Sequence, residues 1–201
     1  LRRSSAASDV YKRQALYKLG ISYSSQEAVE FADRSMETIS YYAIDASRHL
    51  AKERGSYASF SGSLWSKGIL PIDSLKILEQ DRADNYLEVV FSTNLDWDTL
   101  RSKVQIDGMR NSNVMAIAPT ATIANITGVS QSIEPTYQNL YVKSNLSGEF
   151  TVVNPYMVRD LKAEGLWDKV MVNDIKYYDG SIQAIERIPM ELKQRLSLIH
   201  I

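Results

Sequence analysis

Cysteine is absent from all 201 residues. Disulfide scaffolds, thiolate metal sites and cysteine nucleophiles are therefore excluded within this stretch. Histidine is scarce, with two in the chain, His49 and His200. His49 cannot anchor a metal site without a second histidine or a thiolate beside it. Neither sign of charge dominates: Lys+Arg 23 stand against Asp+Glu 24. No general basic field exists to hold nucleic acid or an anionic membrane, so any phosphate binding must be local. No apolar run is long enough to cross a bilayer. Nothing resembles a secretory signal, so the sequons Asn125-Ile-Thr127 and Asn145-Leu-Ser147 read as chance matches in a cytoplasmic protein.

Both ends look foreign. Residues 1–14 (LRRSSAASDVYKRQ) have no sustained amphipathic period and resemble translated adaptor sequence; 196–201 (LSLIHI) resemble its counterpart. Fold reasoning is therefore confined to 15–195. Ser24-Ser-Gln-Glu27 reads as a capping box. A stripe follows at Val29, Ala32, Met36, Ile39, Ala43, Ala46 and Leu50, stepping by three and four, which predicts one face of a long amphipathic helix. Arg48, Lys52 and Arg54 suit its C-terminal dipole and Gly55 its stop. Asp98 is expected to cap a short helix carrying Leu100 and Val104 and ending at Gly108. Leu140 to Val153, with Asn145-Leu-Ser-Gly148 as turn, predicts a β-hairpin. Asn154-Pro155 predicts an N-cap and first helical residue. Further helices are expected over 167–178 and from Pro189, and the mixture reads as α/β.

One run carries chemistry. Val114 to Ala118 reads as a short apolar strand entering Pro119, after which Thr120 and Thr122 open a helix. That order gathers main-chain N–H groups and two hydroxyls at one helix start, which is a phosphate site made without glycine. Ile123 can contribute only its main-chain N–H. The run holds no lysine, so it is not a Walker loop. The bland reading of the same residues is a threonine cap on an ordinary strand-to-helix turn. Upstream, Arg110, Asn111 and Ser112 either orient neighbouring loops or are simply polar residues facing solvent. Glu134, held extended before Pro135, either points into a cleft or is a solvated loop residue. The pairs Tyr41-Tyr42 and Tyr177-Tyr178 are read as packing, each split between core and surface.

Beyond this run, several peptides recur in one order: Ala51-Lys-Glu-Arg-Gly-Ser-Tyr57, Ser66-Lys-Gly-Ile-Leu70, Gly108-Met-Arg-Asn-Ser112, Ala118-Pro-Thr-Ala-Thr122, Gln131-Ser-Ile-Glu-Pro135, Leu146-Ser-Gly-Glu-Phe150, Val153-Asn-Pro155, Gly165-Leu-Trp167 and Asp179-Gly-Ser-Ile-Gln183. Together they resemble the C-terminal part of the large subunit of class I ribonucleotide reductases, over about Ala15 to Gln194. The resemblance implies the C-terminal part of a ten-stranded α/β barrel, incomplete as a fragment, in an enzyme that converts ribonucleoside diphosphates to deoxyribonucleotides by thiyl-radical chemistry. It implies that Pro119, Thr120, Ala121, Thr122 and Ile123 grip the substrate diphosphate. It supplies no catalytic residue here, since the family's cysteines are placed outside Ala15 to Gln194. No cofactor is implied in this stretch. The radical is expected from a metal-containing small subunit, and reducing equivalents from a thioredoxin- or glutaredoxin-type donor. A large-subunit homodimer is implied, with allosteric nucleotide sites mainly upstream. A non-catalytic nucleotide-binding module and a helical scaffold are the competing readings.

Overall fold

A computed structural model describes residues 14–82, 93–116, 123–124, 126 and 138–196. The chain divides into two compact units, one formed by 1–30 with 117–201 and the other by 31–116.

The 31–116 unit is built on α1 (Gln26–Arg54), which begins in the other unit and supplies most of its length here. Its N-cap is Ser25, one residue later than the capping box predicts: Ser25 Oγ accepts from Ala28 N at 3.2 Å. The buried face also differs from the predicted stripe. Ser40, Ile44, Ser47, Arg48 and Ala51 are buried, whereas Val29 is 56% and Leu50 38% exposed. Ala32 and Ala46 are exposed as well, and Met36, Ile39 and Ala43 are half-buried. Hydropathy alone selected the wrong side, because serine and arginine can face inward once their polar groups are paired.

A 3-10 turn (Pro71–Asp73) leads into α2 (Ser74–Asp81). Helix α3 (Trp97–Asp107) is capped by Asp96, whose carboxylate accepts from Thr99 N at 3.0 Å; Asp98 sits in the first turn instead. α3 ends at Gly108, with φ +79°. A β-carbon there would collide with Ser56 Oγ, so both conformation and space require glycine. Ile44, Leu70, Trp97, Leu100, Val104 and Met109 form the core of this unit. Of the strand expected over Val114 to Ala118, residues 114–116 join no ladder and 117–118 lie outside the described residues; among the described residues the only sheet is the β1–β2 hairpin described next. A strand exists only through a partner's hydrogen bonds, which hydropathy cannot supply.

In the other unit, β1 (Leu140–Asn145) and β2 (Gly148–Val153) pair antiparallel from Leu140↔Val153 to Asn145↔Gly148, as the sequence predicts. Asn154 then caps α4 (Pro155–Ala163), its Oδ1 accepting from Tyr156 N at 3.0 Å. Helix α5 (Lys169–Tyr177) starts after Asp168, which accepts from Met171 N at 2.7 Å. Helix α6 (Met190–Arg195) follows Pro189. Tyr17, from a helical segment at 14–19, packs with Met157, Leu161, Met171, Ile175, Leu192 and Leu196. Buried Asn139 ties the elements together. Its carbonyl accepts from Asn154 N at 2.7 Å, its Oδ1 from Asn154 Nδ2 at 2.8 Å, and its Nδ2 donates to Leu196 O at 3.3 Å. Gly180 passes so close to β1 that a β-carbon would lie 2.6 Å from Leu140 O.

Candidate functional site

Pro119, Thr120, Ala121 and Thr122 lie outside the described residues, as does Glu134. Ile123 is described: its backbone is helical and its side chain 46% exposed, while Ala124 beside it is buried. Ile126 is helical too, in keeping with a helix after the turn.

The approach to the turn is held by named bonds. Met109 is buried in the core and its carbonyl accepts from Tyr57 N at 3.0 Å. Arg110 N donates to Ser47 O at 3.1 Å. Asn111 N donates to Ser47 Oγ at 3.0 Å, and that hydroxyl donates to Asn111 Oδ1 at 3.1 Å. Ser112 O accepts from Trp65 Nε1 at 2.9 Å. Of the three side chains, Asn111 makes the close bond, to Ser47; Arg110 and Ser112 are held by their main-chain atoms, and all three residues are exposed. Sequence reasoning missed Ser47. Its signal was a serine in mid-helix, a position where a hydroxyl competes with the backbone unless a partner uses it.

Immediately after Ser47, Arg48 bridges Asp45 at 2.8 Å and Asp107 at 2.5 Å. Burial pulls the guanidinium pKa down, but the hydrogen bonds to both carboxylates outweigh it and hold the group above its usual value. His49 is exposed beside Asp45 at 3.3 Å, as a solvated helix-end residue.

Further toward the N-terminus of α1, a cleft of about 490 Å³ is lined by Met36, Glu37, Asp73, Trp97, Arg101 and Met115, among others. Its polar groups are largely committed. Glu37 Oε1 accepts from Asn94 N, Leu95 N and Trp97 Nε1 at 2.8, 3.1 and 3.0 Å, and Oε2 from Asn94 Nδ2 at 3.0 Å. Burial pushes this carboxyl up, yet these donors prevail and hold it below its ordinary value. Asp73 takes a two-pronged contact from Arg101 and a bond from Leu70 N at 2.8 Å. These groups brace the helices around the cleft. Among the described residues, no group of three or more His, Asp or Glu could hold a metal ion.

The tyrosine pairs separate. Tyr41 packs edge-on against Trp97 at 5.4 Å while Tyr42 is exposed, so this pair splits between inside and outside. In both pairs the two rings meet edge-on, at 5.3 Å for Tyr41 and Tyr42 and 4.9 Å for Tyr177 and Tyr178, but Tyr177 and Tyr178 both reach solvent at the end of α5.

Helices, one β-hairpin and a chain pinned at 109–112 make up the described part of an α/β fold. That architecture is shared with the alpha subunit of a class Id ribonucleotide reductase from Actinobacillus ureae, at TM-score 0.62 and 22% identity, over 94% of this chain and 26% of that one. The family model described as "Ribonucleotide reductase, barrel domain" matches residues 12–197, and the chain belongs to that family. It is 59% identical over 181 residues to the ribonucleoside-diphosphate reductase subunit alpha of Chlamydia trachomatis serovar D, covering 90% of this chain. It is 41% identical over 172 residues to the large subunit from Caenorhabditis elegans, covering 86% of this chain. The chain spans 17% of the length of the first relative and 20% of the second.

Proposed function

We propose that this chain is a segment of the large subunit of a ribonucleoside-diphosphate reductase, an oxidoreductase that converts ribonucleoside diphosphates to 2′-deoxyribonucleoside diphosphates for DNA synthesis. The observation that carries the reading is the 59% identity, sustained over 181 residues, to a subunit of that name. Residues 15–195 would be the barrel segment. Pro119, Thr120, Ala121, Thr122 and Ile123 would hold the substrate diphosphate by main-chain N–H groups and hydroxyls, each charge-assisted bond contributing roughly 1.5–3 kcal/mol. Several such bonds give micromolar affinity without a cation. The sequence around them is compatible with this, since it offers a helix start and no bulky charge of its own.

The radical and the reducing equivalents would come from outside the chain, which has no cysteine. The partners are a small subunit carrying a metal centre, a thioredoxin- or glutaredoxin-type reductant, and a second large subunit. No described helix is long and apolar enough to cross a membrane. The cytoplasm is the compartment this chemistry requires for its substrates.

Two measurements test the reading. In a full-length subunit containing this segment, Thr122→Ala should weaken diphosphate binding by about 1–2 kcal/mol, one polar contact; an unchanged Michaelis constant and turnover would refute the loop assignment. The 201-residue chain alone, mixed with a small subunit, should form no deoxynucleotide, and measurable product would contradict the division of labour.

A further inference from the structure

We propose that the cleft between α1, α2 and the entry to α3 binds a small organic cation, a protonated amine carried on an apolar body. All its lining residues belong to the 31–116 unit, so the inference does not depend on the diphosphate loop.

Its volume of about 490 Å³ falls within the usual span of small-ligand pockets, roughly 300–1,000 Å³. Each wall contributes apolar surface: Met36 from α1, Ile72 and Leu75 from the 3-10 turn and α2, Leu95 from the approach to α3, and Met115. All five are only half-buried, so they keep apolar area that a ligand can cover.

Charge decides which ligand suits it. Asp33, Glu37, Asp73, Asp96 and Asp98 line the cleft against Lys76 and Arg101. Arg101 is engaged by Asp73 and lies 3.7 Å from Asp98. Burial opposes ionisation of Glu37 and Asp73, yet their hydrogen bonds prevail and hold both carboxyls below their ordinary values. Asp96 is lowered by its bonds to Thr99. Asp33 makes no hydrogen bond or ion pair among the described residues, and the Asp98 side chain is 95% exposed. A negative field is therefore in place before any ligand arrives, held on groups that are already fixed. It repels phosphates and favours an ammonium group. A metal ion does not suit it, because among the described residues no three carboxylates converge. An ammonium group needs only one or two carboxylate oxygens, which Asp33 and Asp98 offer at the exposed edge, with its hydrocarbon on the apolar walls.

The test uses a full-length large subunit containing this segment, titrated calorimetrically with tryptamine and with indole-3-propionate. The two probes share a ring system and differ in the sign of their charge. Tryptamine should bind with a dissociation constant of about a millimolar or below and raise the thermal midpoint. Indole-3-propionate should bind about tenfold more weakly or worse, and pyrophosphate should not displace tryptamine. Asp33→Asn combined with Asp98→Asn removes two exposed charges and should weaken tryptamine about threefold to tenfold, without weakening indole-3-propionate. Leu75→Trp, which fills the cleft, should abolish binding of tryptamine. Equal affinity for the two indoles, binding of neither, or a double variant that holds tryptamine as tightly as wild type overturns the proposal. Binding of a blocked leucyl-lysyl-leucine peptide in place of tryptamine overturns it too, and gives the cleft to a protein partner.

Discussion

Trp97 donates its indole N–H to Glu37 at 3.0 Å, fastening the first turn of α3 to the middle of α1. The same carboxylate accepts from Asn94 and Leu95, so one side chain gathers the whole entry to α3. Glu37 lies seven residues before Ile44, on the face of α1 that buries Ser40 and Ile44. It is a glutamate surrounded by donors rather than by apolar carbon.

The pH dependence follows from that clamp. The folded Glu37 carboxyl sits below its unfolded value, so its stabilisation is fully present above the unfolded pKa of about 4.3 and disappears as pH falls through the folded pKa. Glu37→Gln should lower stability at pH 7 by about 1–2 kcal/mol and flatten the acid limb of the stability curve. Thermal unfolding of wild type and variant between pH 7 and pH 3 checks this, and parallel curves would count against it.

Arg48→Met should be costly, because it leaves the Asp107 carboxylate, 17% exposed, without its guanidinium. Breaking one side of such a buried pair typically costs about 3–5 kcal/mol. The double variant Arg48→Met with Asp107→Leu should recover much of that loss. Urea unfolding of the four members of the cycle gives the coupling, which is expected to be large and favourable in the native pair.

Gly108→Ala should lower the urea midpoint, with a loss of about 1–3 kcal/mol. The residue is held at φ +79° and has no room for a methyl group beside Ser56. Pairing it with Ser56→Gly would relieve the contact but not the backbone conformation. The double variant should therefore recover only part of the loss.

Asn154→Ala removes a helix cap and an inter-element bond at once. The cap at Tyr156 N accounts for about 1 kcal/mol. The buried Asn139 Oδ1, which Asn154 Nδ2 now satisfies, would lose that donor, adding roughly 1–2 kcal/mol. Asn154→Ser, which can keep the cap alone, should fall between wild type and alanine in thermal midpoint.

Local chemistry was the legible part of this chain. Asn154-Pro155 announced a helix start because a cap and a fixed φ act within three residues, and the structure has that start at Pro155. The hairpin was legible for the same reason, through alternation and turn residues. Where burial depended on distant partners, the reading failed. Little local to α1 says that Ser47 and Arg48 face inward, since Asp45 is the one partner close in sequence, and Asn111 and Asp107 are some sixty residues away. The cap of α3 was misplaced from Asp96 to Asp98 because both aspartates precede the apolar pattern, and only Asp96 reaches the Thr99 amide. Residues 114–116 form no ladder, because pairing is a property of two segments. The family itself was carried by an ordered set of peptides, and the 12–197 match agrees with it.

The β1–β2 hairpin is tied shut at its root, where Asn154 N meets Asn139 O at 2.7 Å, and its tip at Leu146 and Ser147 stands away from the buried cluster. Length can accordingly drift at the tip during evolution: residues added in pairs would extend the ladder outward while the knot below kept α4 in place. The hairpin is a part of this chain able to grow without renegotiating anything beneath it.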